Sequence, residues 1–262
     1  MKSMSKNLNT PLISIITVSY NSERFISLAI ESVISQCNCN IEYVIIDGAS
    51  KDSTVSIVES FGGRVTHFVS EPDKGIYDAM NKGLALATGD VIGILNSDDF
   101  YPYPSVIADV VQAFADNPDL DMVLGNVDFV HPYDLTRPVR FYSSFNFIPW
   151  KMRFGFMPAH PAAFIKRSAY EEVGGYKLGY KIGADFEWFV RAFLVRELSY
   201  VKLNNTLVRM REGGVSTSGL KSYWVSSKEQ LRALRENGVY SNLAFVLIRL
   251  PIKFLHKVFR KG

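Results

Sequence analysis

Cysteine is scarce: Cys37 and Cys39 are the only two in 262 residues. A pair so close together provides no disulfide framework, and no further ligands stand at metal-site spacing, so both read as ordinary thiols. No run of 18 apolar residues occurs, so a membrane-spanning helix is not expected. The opening MKSMSKNLNTP lacks the apolar stretch of a signal peptide, and a cytoplasmic location is expected. No G-x-G-x-x-G follows the first apolar run, which disfavours a dinucleotide oxidoreductase. Internal repeats and low-complexity segments are missing too. From Asn237 to Gly262 there is no Asp or Glu, while Arg249, Lys253, Lys257, Arg260 and Lys261 are present. The remainder carries 24 basic and 26 acidic residues, so a mildly acidic body bears a basic tail. No nucleic-acid partner is expected.

What is present suffices for a large core: 47% of residues are hydrophobic and 13% aromatic. β-branched apolar runs at Leu12–Val18, Ile41–Ile46, Arg64–Ser70, Asp90–Leu95 and Met122–Phe129 predict strands. Helical spacing predicts helices at Glu23–Gln36, Ser53–Phe61, Gly75–Ala87 and Ser105–Ala115 between them. This alternation predicts an α/β domain, a Rossmann-like, mainly parallel sheet with helices on both faces. Loops and short antiparallel strands are expected over 131–160. Helices follow at Ser168–Val173 and Ala184–Val195, strands at Leu198–Lys202 and Thr206–Met210, and a helix at Leu220–Glu236.

Ligands of such sheets bind beyond the carboxyl ends of the strands. After the first strand, Tyr20 can flank a base, and Asn21 can hydrogen-bond a ligand or cap a helix. Asp47 ends the second strand, where a carboxylate can accept a pyrimidine imide N–H. Lys74, after the third, suits a phosphate, or is a solvated surface lysine. Asn96-Ser97-Asp98-Asp99 follows the fourth. Adjacent carboxylates repel, and a divalent cation shared with a diphosphate relieves that cost. Mg²⁺ or Mn²⁺ is the expected ion, because such sites use few protein carboxylates.

TVSYN, VIIDGASKDST and DKGIYDAMNKGLALATGDVIGILNSDD, in this order, resemble family 2 glycosyltransferases of the GT-A fold over roughly residues 12–215. The resemblance implies an inverting, metal-dependent transfer from a nucleotide-sugar donor, with UDP-sugar favoured. Thr17, Tyr20 and Asp47 would contact the base, and Lys74, Asp78 and Asn81 would approach ribose or phosphates. NSDD is similar to the family's Asp-X-Asp metal motif, with Asn96 replacing the first aspartate. The metal role then falls on Asp98, with Asp99 as helper. Gly183-Ala184-Asp185-Phe186-Glu187-Trp188 is similar to the Glu-Asp motif facing the acceptor, which makes Asp185 the general base and Glu187 its alternative. His160, Glu187 and Trp188 fall on the acceptor side. Arg209, Arg211 and Gly213-Gly214-Val215-Ser216 resemble a loop closing over the diphosphate.

The implied division is a catalytic domain over 1–215, with a donor half at 12–130 and an acceptor half at 131–215, and a helical segment over 216–262. On a helix, Asn242–Lys261 sets a basic stripe beside a broad apolar surface, an amphipathic tail suited to an anionic membrane interface at the inner face of the plasma membrane. A lipid-linked glycan acceptor in surface polysaccharide biosynthesis suits that placement. Two other functions compete. A nucleotidyltransferase would carry a glycine-rich basic loop where this chain has SYNSERF. A catalytically degenerate nucleotide-sugar-binding module draws support from Asn96.

Overall fold

A computed structural model of the chain describes residues 10–212 and 219–248. The amino-terminal half alternates as read: β1 (Leu12–Ser19), α1 (Ile26–Ile34), β2 (Asn40–Asp47), α2 (Thr54–Ser60), β3 (His67–Ser70), α3 (Ile76–Leu86), β4 (Val91–Ile94), α4 (Val106–Asp116) and β5 (Met122–His131). β6 (Asp134–Tyr142), β7 (Ala163–Lys166), α5 (Arg167–Val173), α6 (Ala184–Val190), β8 (Tyr200–Arg211), α7 (Gly219–Glu236) and α8 (Leu243–Leu247) follow. Short 3₁₀ helices lie at Pro149–Phe154 and His160–Ala162.

The strands form one sheet in the order β3-β2-β1-β4-β7-β5-β6, with β8 paired to β5. β1, β2, β3 and β4 are parallel, and β8 is parallel to β5. β7 runs against both β4 and β5, and β6 against β5. Side-chain alternation along β1 explains the two-faced core. Ile13 and Ile15 join one hydrophobic cluster with α1 and α4, and Ile16 and Val18 join the other with α3 and α6. Gly83 lets α3 lie close on β1, since a Cβ there would come 2.4 Å from Ile16.

Three local expectations change. The predicted strand over Arg64–Ser70 shortens to His67–Ser70, because Gly62 turns the chain at φ +56° and Gly62–Arg64 forms a 3₁₀ turn. The two late strands are a single β8, with a register shift opposite Leu124–Val127. β7 was not foreseen; only its pairing across the sheet distinguishes four residues from loop. The predicted helix over Asn242–Lys261 is described only to α8, and its basic residues lie outside the described residues, as do Gly213–Ser216. Among the described residues no helix is long and apolar enough to cross a membrane.

Candidate active site

The sheet order reverses between β1 and β4, so the loops after these strands meet at the carboxyl rim. Ser22 Oγ and Ser97 Oγ are 2.8 Å apart there. Asp47 ties the neighbouring strand ends together. Its Oδ1 accepts from Ser19 Oγ (3.1 Å) and Ser50 Oγ (2.5 Å), and its Oδ2 from Ser50 N (2.8 Å) and Ser70 Oγ (2.7 Å). Asn21, at φ +48°, accepts from Lys51 N at 2.9 Å and so links two loops rather than capping a helix. Thr17 is fully buried, its hydroxyl 3.1 Å from Tyr43 OH. Thr17 and Asp47 thus have no exposed surface to offer a base, whereas Tyr20 is 60% exposed beside them. They position the rim, and Tyr20 is its accessible ring.

The acidic loop follows β4. Asn96 Nδ2 donates to Asp99 Oδ2 at 3.0 Å, but Asn96 Oδ1 and Asp99 Oδ1 are buried without a hydrogen-bond partner. Asp98 stays partly exposed. Burial raises its carboxyl above the ordinary range, against the pull of Arg211. Burial, then the charge of Asp98, raises Asp99 further. Arg211, at the end of β8, donates to the Asp98 carbonyl at 2.9 Å and lies between the rings of Phe25 (4.9 Å) and Phe100 (5.5 Å). Reciprocal backbone bonds between Phe100 and Arg209 fasten β8 to this loop. Among the described residues no three His, Cys, Asp or Glu side chains converge. Two repelling carboxylates and two orphaned oxygens nonetheless fit a hard divalent cation that takes its remaining oxygens from a substrate. Asp98 and Asp99 are the residues that would hold it.

Asp185 opens α6 from a different part of the chain. Tyr77, in the first turn of α3, donates to Ile182 O at 2.5 Å and lies 3.4 Å from Asp185 Oδ1. α3 starts beyond the carboxyl end of β3, so Tyr77 holds Asp185 on the carboxyl side of the parallel strands. Dense surroundings raise its carboxyl to about 6, opposed by the 2.7 Å bond from Phe186 N to Oδ1. The hydrogen bonds from Tyr77 and from Phe186 N both fall on Oδ1. Glu229 of α7 holds the preceding loop, accepting from the backbone N–H groups of Lys181 (2.7 Å), Ile182 (2.9 Å) and Gly183 (2.9 Å). A cavity of about 260 Å³ adjoins Tyr77, bordered by exposed Lys74 and Lys181 and by Ile76, Leu178 and Tyr180.

Other proposed contacts serve as framework. Asp78, in the first turn of α3, accepts from Lys74 N at 3.0 Å and holds the loop that enters the helix. Asn81 exchanges two 2.8 Å bonds with the backbone of Tyr176. His160 is buried against Tyr176 OH (2.7 Å), and burial lowers it to about 4, so it stays neutral. Glu187 is fully buried between Arg191 and Lys177, both at 2.9 Å, which corrects its role as alternative base. A carboxylate so paired holds α6 in place. Trp188 is also fully buried and donates to Gly174 O at 2.8 Å, so it offers an acceptor no surface.

Residues 14–174 match the family model described as Glycosyl transferase family 2. The chain belongs to this glycosyltransferase family. A Mycobacterium tuberculosis glycosyltransferase, named as uncharacterized, is 34% identical over 191 residues, 72% of this chain and 71% of its own. A PGL/p-HBAD biosynthesis glycosyltransferase of Mycobacterium bovis is 29% identical over 186 residues, 70% of each chain. Among solved structures, S. aureus TarS 1-349 in complex with UDP-GlcNAc is similar at TM-score 0.66 and 18% identity, covering 95% of this chain and 72% of that one. Glucosyl-3-phosphoglycerate synthase from Mycobacterium tuberculosis, in complex with Mn²⁺ and UDP, is similar at TM-score 0.62 and 16% identity, covering 89% and 82%. This chain spans 39% of a longer TarS structure. These likenesses establish the GT-A fold.

The family 2 match ends at residue 174, before Asp185, so this carboxylate lies outside the matched segment. Tyr77 and Glu229 were not singled out from sequence. Tyr77 stands inside the quoted DKGIYDAMNKG motif, a signal that could have found it. Glu229 had none, since its three acceptor bonds exist only once α7 packs.

Proposed function

We propose that this glycosyltransferase moves a sugar, with inversion, from a nucleotide-diphosphate sugar to a hydroxyl of a lipid-linked saccharide in surface polysaccharide biosynthesis. The reading is supported by two unlike carboxylate sites, both reached from the carboxyl ends of the parallel strands. One is the crowded Asp98–Asp99 pair, and the other is Asp185, raised to about 6. A UDP-sugar is the favoured donor, supported by UDP and UDP-GlcNAc in the similar structures. Mn²⁺ accompanies the nucleotide in one of them, which supports Mn²⁺ or Mg²⁺ here.

In this reading Tyr20 flanks the base, while the Asp47 and Asn21 loops keep the rim in shape. A divalent cation, when bound, neutralises the leaving diphosphate. Arg211 adds positive charge beside it. Asp185 takes the proton of the acceptor hydroxyl as that oxygen attacks the anomeric carbon from the face opposite the diphosphate. A pKa near 6 leaves Asp185 ionised at neutral pH yet more basic than an ordinary aspartate. Residues 12–130 form the donor half and 131–215 the acceptor half, and 216–262 carry the protein to the cytoplasmic membrane surface.

A thermal-shift panel of UDP- and GDP-sugars with and without Mn²⁺ tests the donor. At a hundredfold excess over Kd a ligand adds about 2.7 kcal/mol. A UDP-sugar should raise the midpoint by several degrees, and only with the metal. A flat panel would remove the reading. Asn96 favours the degenerate-module alternative, which predicts the same shift but no Mn²⁺-dependent hydrolysis of the donor.

A further inference from the structure

A second long stretch of the chain lacks acidic residues. From Leu135 to Tyr170 there is no Asp or Glu, while Arg137, Arg140, Lys151, Arg153, Lys166 and Arg167 are present. The structure joins this stretch to the acid-free carboxyl-terminal one. Phe154 stacks on Phe245 of α8 with ring centroids 4.8 Å apart, and Ser241 Oγ donates to Arg153 O at 2.6 Å. Large apolar side chains stand in water around this junction: Phe145 (56% exposed), Ile148 (45%), Trp150 (54%), Tyr240 (69%) and Ile248 (47%). Arg153 is exposed among them.

We infer that the 3₁₀ helix Pro149–Phe154 and α8 together form a docking surface for an anionic lipid bilayer. Isolated exposed apolar residues need no explanation, but several on or flanking two joined elements mark a contact surface. The occupant follows from the composition. Trp and Tyr favour the headgroup level, and Lys and Arg beside them pair with anionic lipid. No acidic residue of either stretch opposes such a surface. The chain leaves α8 at Ile248 on this same patch, and the sequence beyond holds Arg249, Lys253, Lys257, Arg260 and Lys261. The patch therefore adds folded contacts to the membrane placement proposed for 216–262, and it rests on that placement while leaving the donor chemistry independent.

The test uses the full chain and vesicles of phosphatidylcholine with or without phosphatidylglycerol. Sedimentation should carry the protein down with the mixed vesicles and leave it in solution with pure phosphatidylcholine. The pairs Ile148→Ser with Trp150→Ser, and Lys151→Gln with Arg153→Gln, should each weaken partition by about fivefold or more. Tyr133→Ser, at a 94% exposed hairpin position, should leave it unchanged. An unaltered melting temperature without ligand shows that a variant is folded. In a Trp224→Phe background, brominated lipid should quench Trp150, since Trp188 is buried. Wild-type partition by both loop variants, with binding lost only on deleting 249–262, would overturn the proposal. So would an absence of vesicle binding, or a Trp150-dependent dimer in its place. Loss of the donor shift with vesicle binding intact would instead sink the transfer reading alone.

Discussion

At the scale of single residues, Asp185 determines the most. Asp185→Asn keeps the shape and removes the proposed base, so on that proposal transfer should fall by ~10²–10⁴ while the UDP–Mn²⁺ thermal shift persists. Retained transfer would take the role from Asp185. The active form is the ionised one, so the wild-type rate should climb through about pH 6 and level off above it. Stability runs the other way. A carboxyl raised on folding holds its proton in the native state after the unfolded chain has released it, so its contribution is lost as pH rises toward 6. Asp185→Asn should therefore raise the melting temperature more at pH 8 than at pH 5. Sequence placed Asp185 by the motif around it, but assigned Glu187 and Trp188 to the same surface. Both are fully buried, because Lys177 and Arg191 close over Glu187 and the Gly174 backbone covers the Trp188 ring nitrogen, contacts that come from outside the motif.

At the scale of elements, α7 does more than cover the core. It was legible as a helix over Leu220–Glu236 and is observed over Gly219–Glu236. Its link to the site was not legible, because Glu229 meets Lys181–Gly183 across more than forty residues of chain. Glu229→Ala should strand three backbone donors and cost about 1–3 kcal/mol of stability. Transfer should drop with it, while the donor shift stays. Glu229→Gln keeps an acceptor oxygen and should recover part of both. Equal rates in wild type and Glu229→Ala, followed alongside chemical denaturation, would separate the loop from catalysis.

Across the whole molecule, three carboxyls of the candidate site are raised: Asp98, Asp99 and Asp185. A cation competes with protons for the first two, so Mn²⁺ should stabilise the fold little in acid and increasingly as pH rises. Melting curves with Mn²⁺ and with EDTA from pH 5 to pH 8 measure this difference. A constant gap would place the ion elsewhere. Asp99→Asn removes a buried charge, and should raise the melting temperature in EDTA and shrink the metal effect.

The order of strands and helices through β5 was set by sequence alone, because apolar periodicity and glycine breaks are local. The acidic loop after β4 was equally plain, since like charges side by side are visible without a fold. Tertiary structure decided the rest. It inserted β7 between β4 and β5, fused the two late strands into β8, and brought Arg211 to Asp98. It also divided the candidate residues into those facing the rim and those, like Thr17, Asp47 and Asn81, that support it. A side chain's exposure depends on what packs against it from distant segments, and one chain of letters does not contain those contacts until it is folded.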